Sequence, residues 1–209
     1  MPNLLIATTN QGKKREIEAY LSELPLEIFS LLKLNLNKTY PEKGKTFQEN
    51  ARGKSLFYSQ YWEGITIAED SGLEIDHLDG APGVYSARFS GPQATDEQNN
   101  NKVLYLMEGV PYKDRRAHFI SCMVLSQKGQ ILTEIMGCSE GIISLEPKGQ
   151  SGFGYDPIFY YPPLKKTFAQ MKSEEKNRVS HRGKAMAELR SEFDKVLIWL
   201  RQWLAEEPF

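Results

Sequence analysis

Two neighbouring carboxylates, Glu69 and Asp70, follow the apolar segment 65–68, which is typical of a short buried strand. The carboxyl end of a strand lies at the edge of a sheet where α/β proteins bind ligands. Because neighbouring strand residues point to opposite faces, only one carboxylate should face a given site, and the pattern leaves open which. With a further acid such as Glu42, it would suit Mg²⁺, which prefers oxygen ligands. The alternative is a solvated turn over residues 70–72.

A polar segment at residues 8–13 follows a short predicted strand at 3–7 and leads into a helix predicted over 13–24. A helix N-terminus attracts anions through its free N–H groups and its dipole. The hydroxyls of Thr8 and Thr9 would add further donors, so the segment predicts a phosphate site, although it lacks the Walker pattern. The alternative is an ordinary N-cap formed by Thr9 or Asn10.

A glycine-rich segment, residues 149–157, contains two aromatic residues, Phe153 and Tyr155. Its three glycines permit a tightly turned backbone, and its aromatic rings offer stacking faces to a flat ligand. The segment therefore favours a ligand loop, and the alternative is a glycine-rich hairpin whose aromatic residues belong to the core.

Several cations cluster before and at the start of the last predicted helix, at Lys176 and within residues 180–184. Cations at a helix N-terminus oppose the helix dipole and are unfavourable unless an anion lies nearby. A local inconsistency of this kind is typical of a functional site.

The remaining elements predict an α/β fold with a mixed sheet. A T-x-x-E capping box at residues 46–49 opens a helix that should run to about residue 61. Two β-rich segments, 117–125 and 130–143, predict a hairpin, and the strands and helices that alternate before them imply helices packed on a sheet. The last predicted helix, 180–205, has an apolar face formed by Met186, Leu189, Phe193, Val196 or Leu197, Leu200 and Leu204.

Composition excludes several classes of protein. The 209 residues suit one α/β domain over 1–209 with a side lobe, and the net charge of −1 gives no basic surface for long nucleic acid. No apolar run approaches the ~20 residues of a membrane span, and no signal segment is visible, so a cytoplasmic protein is expected. Cys122 and Cys138 are isolated and are interpreted as buried thiols.

Taken in order, these segments resemble the non-canonical purine nucleoside triphosphate pyrophosphatases, a family that hydrolyses ITP, dITP and XTP to the monophosphate and pyrophosphate. The resemblance extends over nearly the whole chain. The matching motifs are Ala7-Thr8-Thr9-Asn10 with Lys13, Glu42-x-Gly44-x-Thr46-Phe47-x-Glu49-Asn50-Ala51 with Lys54, Asp70-Ser71-Gly72-Leu73, Gly80 to Arg88, Ala94-Thr95-Asp96 with Asn99-Asn100, Gly152 to Pro157, and Ser180-His181-Arg182-Gly183.

The resemblance implies a role for each matching residue. Glu42 and Asp70 would serve Mg²⁺, and Asp70 would also orient or deprotonate the attacking water. The triphosphate would be held by Thr8, Thr9, Asn10, Gln11, Gly12, Lys13 and Lys54. The rest of the substrate would be bound by Ser71, by Phe153 stacked on the base, and by Gly154, Tyr155, Asp156, Lys176, His181 and Arg182.

The resemblance further implies an elongated mixed β-sheet with flanking helices that form two lobes around a central cleft, usually in a homodimer. Two residues depart from the family pattern. Glu69 stands where a first Asp is usual, which affects its expected role near the metal, and Ser151 stands where Gly is frequent. Two other functions stay open, a related pyrophosphatase for pyrimidine or modified nucleotides and a nucleotide- or RNA-binding module without catalysis.

Overall fold

The computed structural model describes residues 2–22, 24–34 and 38–205, and within the last helix it describes the side chains of residues 181–192 and 195. The strands are β1 (Asn3–Ile6), β2 (Glu27–Ser30), β3 (Ile65–Ile75), β4 (Arg116–Gln127), β5 (Gln130–Ile143), β6 (Phe159–Tyr161) and β7 (Lys166–Thr167). The α-helices are α1 (Gln11–Leu21), α2 (Phe47–Ser59), α3 (Asp96–Leu106), α4 (Ser173–Val179) and α5 (His181–Ala205).

Within the described residues, seven strands form a single sheet in the order β2-β1-β3-β4-β5-β6-β7. Strand β1 is parallel to β2 and to β3, whereas every later pair is antiparallel. The sheet is therefore mixed and flanked by helices, which confirms the predicted α/β class and the predicted hairpin of β4 and β5. That the whole chain forms one domain with two lobes stays a prediction.

Two large apolar clusters lie at different places along the sheet. The first joins β1, β3 and β4 to α1 and α5, and the second joins β3, β4 and β5 to α3 and the segment around Phe159. Met186 and Leu189 of α5 are buried in the first cluster, as the apolar periodicity predicts. The positions predicted to continue that face, Phe193, Val196, Leu197, Leu200 and Leu204, lie outside the described side chains.

Strand β3 does not end before the acidic pair, as the apolar pattern suggested. It continues through Glu69 and Asp70 to Ile75, because β4 pairs with it antiparallel along the whole of this length. Hydrogen bonds to β4 satisfy the backbone of residues that look like a turn in sequence. The acidic pair therefore lies inside the sheet, and the alternative of a solvated turn is wrong.

Three smaller expectations also need correction. Helix α1 covers Gln11–Leu21, so it starts and ends earlier than predicted. Glu49 accepts a hydrogen bond from the backbone of Lys45 rather than of Thr46, so only half of the predicted capping box forms. Cys122 is buried, but Cys138 is exposed because its side chain lies on the face of β5 opposite α5.

In the described part of the chain, no helix has the length and hydrophobicity that a membrane span requires.

Candidate active site

The first cavity, called the polar cavity below, lies where β1 ends and α1 begins. Its volume is about 320 Å³, which is in the range of small-molecule sites. It contains cations and carboxylates from five separate segments of the chain. It is lined by Ala7, Thr8, Thr9, Asn10, Lys13, Leu31, Thr39, Tyr40, Glu42, Lys54, Tyr58, Asp70, Ser71, Val84, Ala87 and Arg88.

The turn before α1 is ordered by its own side chains. Asn10 is the N-cap residue, and its Oδ1 accepts a hydrogen bond from the backbone N–H of Lys13 at 3.0 Å. Thr8 Oγ1 accepts from the N–H of Asn10 at 3.2 Å. The predicted alternative, an N-cap, is therefore present, and the capping residue Asn10 itself lines the polar cavity. Two of the residues predicted to bind the triphosphate do not line the polar cavity. Gln11 is exposed outside it, and Gly12 packs under the ring of Phe153.

Lys13 connects the two carboxylates of the acidic pair. Its Nζ lies 3.0 Å from Glu69 Oε2 and 3.9 Å from Asp70 Oδ1. The two carboxylates otherwise separate to opposite faces of β3, as strand geometry requires. Asp70 lines the polar cavity, whereas Glu69 is fully buried behind it. Tertiary structure thus settles which acid faces the cavity.

Glu69 is an internal counter-ion. Its Oε1 accepts hydrogen bonds from Arg182 Nη2 at 2.8 Å and from Ser121 Oγ at 2.9 Å. Burial raises the pKa of this carboxyl, but the positive charges of Arg182 and Lys13 more than offset burial and hold the pKa well below its usual range. Glu69 therefore stays ionised as the counter-ion of Arg182 and Lys13. It is not among the residues that line the polar cavity.

Asp70 lies in a different electrostatic environment. Burial raises the pKa of its carboxyl above the usual value, Lys13 and Lys54 oppose this shift, and the negative charge of Glu42 adds to it. Asn50 Nδ2 donates to Asp70 Oδ2 at 2.9 Å, which orients the carboxylate. A buried carboxylate that is oriented and has a raised pKa is typical of a functional acid or base.

Helix α2 supplies two of the side chains around Asp70. Asn50 and Lys54 are four residues apart and therefore lie on the same face of the helix. Lys54 Nζ donates to the carbonyl oxygen of Glu69 at 3.2 Å and forms an ion pair with Glu42. Asn50 was not among the predicted site residues, although its spacing from Lys54 is visible in the sequence.

The second cavity, called the aromatic cavity below, adjoins the polar cavity and shares Asn10, Ser71 and Ala87 with it. The two cavities therefore form one continuous cleft. The other residues that line the aromatic cavity are Gly72, Ser86, Asp96, Asn99, Phe119, Phe153, Gly154, Tyr155, Asp156, Lys176, His181 and Arg182.

Phe153 forms one wall of the aromatic cavity. Its ring packs on Gly12, where a Cβ would lie only 2.7 Å from the ring, so a larger side chain there would displace it. Lys176 Nζ lies 4.9 Å and Arg182 Cζ 5.6 Å from the ring centroid, which are cation–π distances. Tyr155, by contrast, is buried in the apolar core, where its hydroxyl donates to the carbonyl of Ser86 at 2.7 Å.

A buried charge network holds the two cations beside Phe153. Lys176 Nζ donates to Glu16 Oε1 at 2.9 Å and to Asp156 Oδ2 at 2.6 Å. Arg182 pairs with Glu16 as well as with Glu69. These carboxylates are the anions that the cations near the start of α5 require. Glu16 was not among the predicted site residues, and its only local signal is its place one turn after Lys13 on α1.

His181 is buried, and its ring stacks on Phe119 with the centroids 4.6 Å apart. Burial, assisted by the positive charge of Arg182, lowers the pKa of His181 well below its usual value. The imidazole is therefore neutral at pH 7. Burial raises the pKa of the Asp156 carboxyl, an effect that Lys176 opposes.

Among the described residues, no three His, Cys, Asp or Glu side chains form a cluster that could enclose a metal ion. The polar cavity nevertheless contains two carboxylates, Glu42 and Asp70, that are close enough for the charge of one to raise the pKa of the other. Such a pair can supply part of a coordination shell, and the remaining ligands would come from water or from a bound anion.

Comparison with known proteins agrees with this arrangement. The sequence profile of the Ham1 family matches residues 4–192. A dITP/XTP pyrophosphatase of Syntrophobacter fumaroxidans is 47% identical over 207 residues, which cover 98% of this chain and 87% of the relative. A dITP/XTP pyrophosphatase of Desulfotalea psychrophila is 44% identical over 207 residues, which cover 99% of this chain and 92% of the relative.

Solved structures agree as well. A HAM1 protein of Coxiella burnetii superposes with a TM-score of 0.85 at 35% identity, over 93% of this chain and 100% of that structure. The Ham1 protein of Staphylococcus aureus superposes with a TM-score of 0.83 at 36% identity, over 92% of this chain and 98% of that one. With its profile, its relatives and its fold in agreement, the chain belongs to the Ham1 family.

Proposed function

We propose that this protein hydrolyses non-canonical purine nucleoside triphosphates, namely ITP, dITP and XTP, to the monophosphate and pyrophosphate. The observation that carries the proposal is the continuous cleft, in which a polar cavity suited to phosphates opens into an aromatic cavity suited to a base. Curated members of the family with 41–47% identity are named dITP/XTP pyrophosphatases, and the chain is accordingly a hydrolase.

The polar cavity would bind the triphosphate. The turn before α1 lines this cavity through Thr8, Thr9 and Asn10, so the positive end of the helix dipole lies beside it, and the two threonines add hydroxyl groups. Lys13 and Lys54 would neutralise the phosphate charges. Arg88 also lines this cavity and adds a third cation, although it was not among the predicted site residues.

The residues of the polar cavity fit Mg²⁺. Glu42 and Asp70 are hard oxygen donors, and Mg²⁺ commonly binds one or two carboxylates together with substrate phosphates rather than an all-protein cage. Glu42 and Asp70 would hold the ion. A bound Mg²⁺ would neutralise phosphate charge and lower the pKa of a coordinated water. The feature of the structure that supports this fit is that Glu42 and Asp70, from separate segments of the chain, line the same cavity.

Asp70 would prepare the water that attacks the α-phosphorus in line with the departing pyrophosphate. Asn50 fixes Asp70 Oδ2, so the carboxylate approaches the cavity in a defined orientation. A carboxylate is a weak base at neutral pH, and its main contribution would be to orient the water. Lys13 and Lys54 would stabilise the charge that develops on the leaving pyrophosphate.

Phe153 would stack on the purine, and the polar groups of the aromatic cavity would select it. The 6-oxo group of hypoxanthine and xanthine accepts hydrogen bonds, whereas the 6-amino group of adenine donates them. A donor from Lys176 or Arg182 would therefore face another donor if ATP entered. Sites of this kind discriminate by ~10⁴ or more, because buried polar groups are left unpaired with the wrong ligand.

The wider biological assignments belong to the same proposal. The enzyme would act in the cytoplasm as a homodimer and would remove damaged purine nucleotides from the nucleotide pool. Sedimentation velocity at micromolar concentration tests the dimer directly, since a species of the monomer mass of 23.9 kDa alone would contradict it.

The function is tested by pyrophosphate release from ITP, XTP, dTTP, GTP and ATP, with and without Mg²⁺. We expect Mg²⁺-dependent release that strongly favours ITP and XTP. Release from dTTP instead would preserve the chemistry and overturn the assignment of the base site. Equal efficiency with ATP would contradict the selectivity, and no release from any substrate would favour a binding module.

A further inference from the structure

The first turns of α3 carry three polar side chains that reach two different loops around the aromatic cavity. Asp96 and Asn100 contact the glycine-rich loop at Gly154. Asn99 contacts the other loop, because its Oδ1 accepts from the N–H of Ser90 at 2.8 Å and its Nδ2 donates to the carbonyl of Ala87 at 3.3 Å. The proposed catalytic and binding roles do not use any of these three residues.

Both polar groups of Gly154 are occupied by α3. Asp96 Oδ2 accepts from the N–H of Gly154 at 2.6 Å, and Asn100 Nδ2 donates to its carbonyl at 3.0 Å. Gly154 has φ +62, a left-handed conformation in which glycine is favoured, and a Cβ there would meet no atom within 4 Å. The glycine is therefore required by backbone conformation rather than by lack of space, and α3 holds that conformation in place.

Gly154 directly follows Phe153, so the position of its peptide group determines where the aromatic ring can lie. The N–H of Phe153 donates to Asp156 Oδ2 at 2.9 Å, which holds the other side of the turn. Glycine-rich segments have large conformational freedom, and an unrestrained loop would lose more entropy when a ligand binds. Side chains that fix the loop before binding therefore raise affinity without touching the ligand.

We propose that Asp96 and Asn100 are positioning residues of the base site, which act by clamping Gly154 so that Phe153 is held against the aromatic cavity. The inference rests on the proposed function for the identity of the base. Asn99 of the same helix is bonded to Ser90 and Ala87 in a second loop, and Ala87 also lines the cavity. Helix α3 thereby connects two loops that both contribute residues to the aromatic cavity.

The test compares Asp96→Ala and Asn100→Ala with matched controls on the same helix. Glu97→Ala removes the neighbouring first-turn carboxylate and so reproduces the change in helix-dipole electrostatics. Asn101→Ala removes the neighbouring exposed amide. Asp96→Asn retains an acceptor oxygen and serves as the conservative rescue. Amide hydrogen exchange over residues 152–156 is measured on unligated protein, and kcat and KM are measured for ITP and ATP.

We expect amide exchange of Gly154 to accelerate about tenfold in Asp96→Ala, with a smaller acceleration in Asn100→Ala and near wild-type exchange in both controls. The KM for ITP should rise about tenfold in Asp96→Ala while kcat stays within about twofold. Inhibition by inorganic pyrophosphate should not change, because the polar cavity is untouched. Asp96→Asn should recover most of both effects.

Three outcomes would overturn the clamp. Unchanged exchange in Asp96→Ala would show that the loop is held by other contacts, and faster exchange with an unchanged KM would show that loop order does not matter for the base. An equal fall in kcat for all substrates at constant KM would indicate a merely structural role. Failure of the proposed function is recognised separately, as absence of turnover by the wild-type enzyme. In that case the exchange experiment still tests whether Asp96 and Asn100 restrain Gly154.

Discussion

The two cavities of the cleft differ in how completely their charges are matched. In the aromatic cavity, Lys176 and Arg182 are each paired with two carboxylates of the protein. In the polar cavity, Lys13 and Lys54 also contact carboxylates, but burial and the nearby charge of Glu42 still leave the pKa of Asp70 raised.

The difference indicates which part of a ligand each cavity suits. Charges that already satisfy one another form a rigid frame, which can position an uncharged ring and a few hydrogen bonds. Charges that are incompletely matched favour the entry of further ions, in this case phosphates with a divalent cation. Recognition of the base and binding of the phosphates are thus separate tasks of adjacent cavities, and substitutions should separate them.

The largest effect should follow from Asp70→Asn in the polar cavity. This change preserves the shape of the side chain but removes the charge that would orient water, so we expect kcat for ITP to fall about 10³-fold with little change in KM. Steady-state kinetics measure it, and Asp76→Asn, at an exposed aspartate that contacts His118, is the control. Near-normal turnover of Asp70→Asn would contradict the assigned role.

Glu16→Gln should produce the second largest effect, because it removes the carboxylate that holds both Lys176 and Arg182. Loss of Glu16 from a largely buried network leaves Lys176 with only Asp156 and Arg182 with only Glu69, and we expect a decrease of about 2 kcal/mol in the free energy of unfolding in urea. Glu18→Gln on the same helix breaks only a surface pair with Lys14 and should cost less than about 0.5 kcal/mol. Equal losses in the two variants would mean that the network is not a rigid frame.

Phe153→Ala tests the base side of the comparison. Loss of a stacking ring should lower kcat/KM for ITP about tenfold, whereas inhibition by inorganic pyrophosphate should stay unchanged. Tyr105→Ala, at an exposed aromatic residue of α3, is the control. If pyrophosphate binding weakened in parallel with ITP, the two cavities would not act separately.

The smallest effect concerns pH. Burial lowers the pKa of His181 in the folded protein, whereas in the unfolded chain it should titrate near ~6.5. Below that pH the unfolded state binds more protons, so stability falls as the pH decreases. Between pH 7 and 5.5 the wild type should lose about 1 kcal/mol more than His181→Gln in urea denaturation. A wild type that gained stability relative to the variant would mean that folded His181 is protonated beside Glu69.

Much of the local structure could be predicted from local patterns. The hairpin of β4 and β5, the helix that begins after Thr46 and the buried start of α5 follow from periodicity and turn residues, which act within a few positions of the chain. The residues predicted for the cleft also converge for the most part, since Lys13, Asp70 and Phe153 all line it. Gln11 and Gly12 are the exceptions, because Gln11 is exposed outside the cleft and Gly12 packs under Phe153.

Tertiary structure decided the rest, and the reason is the same in each case. The pairing of β4 with β3 extends the strand through Glu69 and Asp70, which assigns one acid to the interior and the other to the cleft. Glu16 contacts Arg182 across 166 positions of sequence, and Asp96 contacts Gly154 across 58. The amino-acid sequence by itself therefore determined the local elements and the chemistry available, whereas the partner of each charge depends on packing between distant segments, which local patterns do not encode.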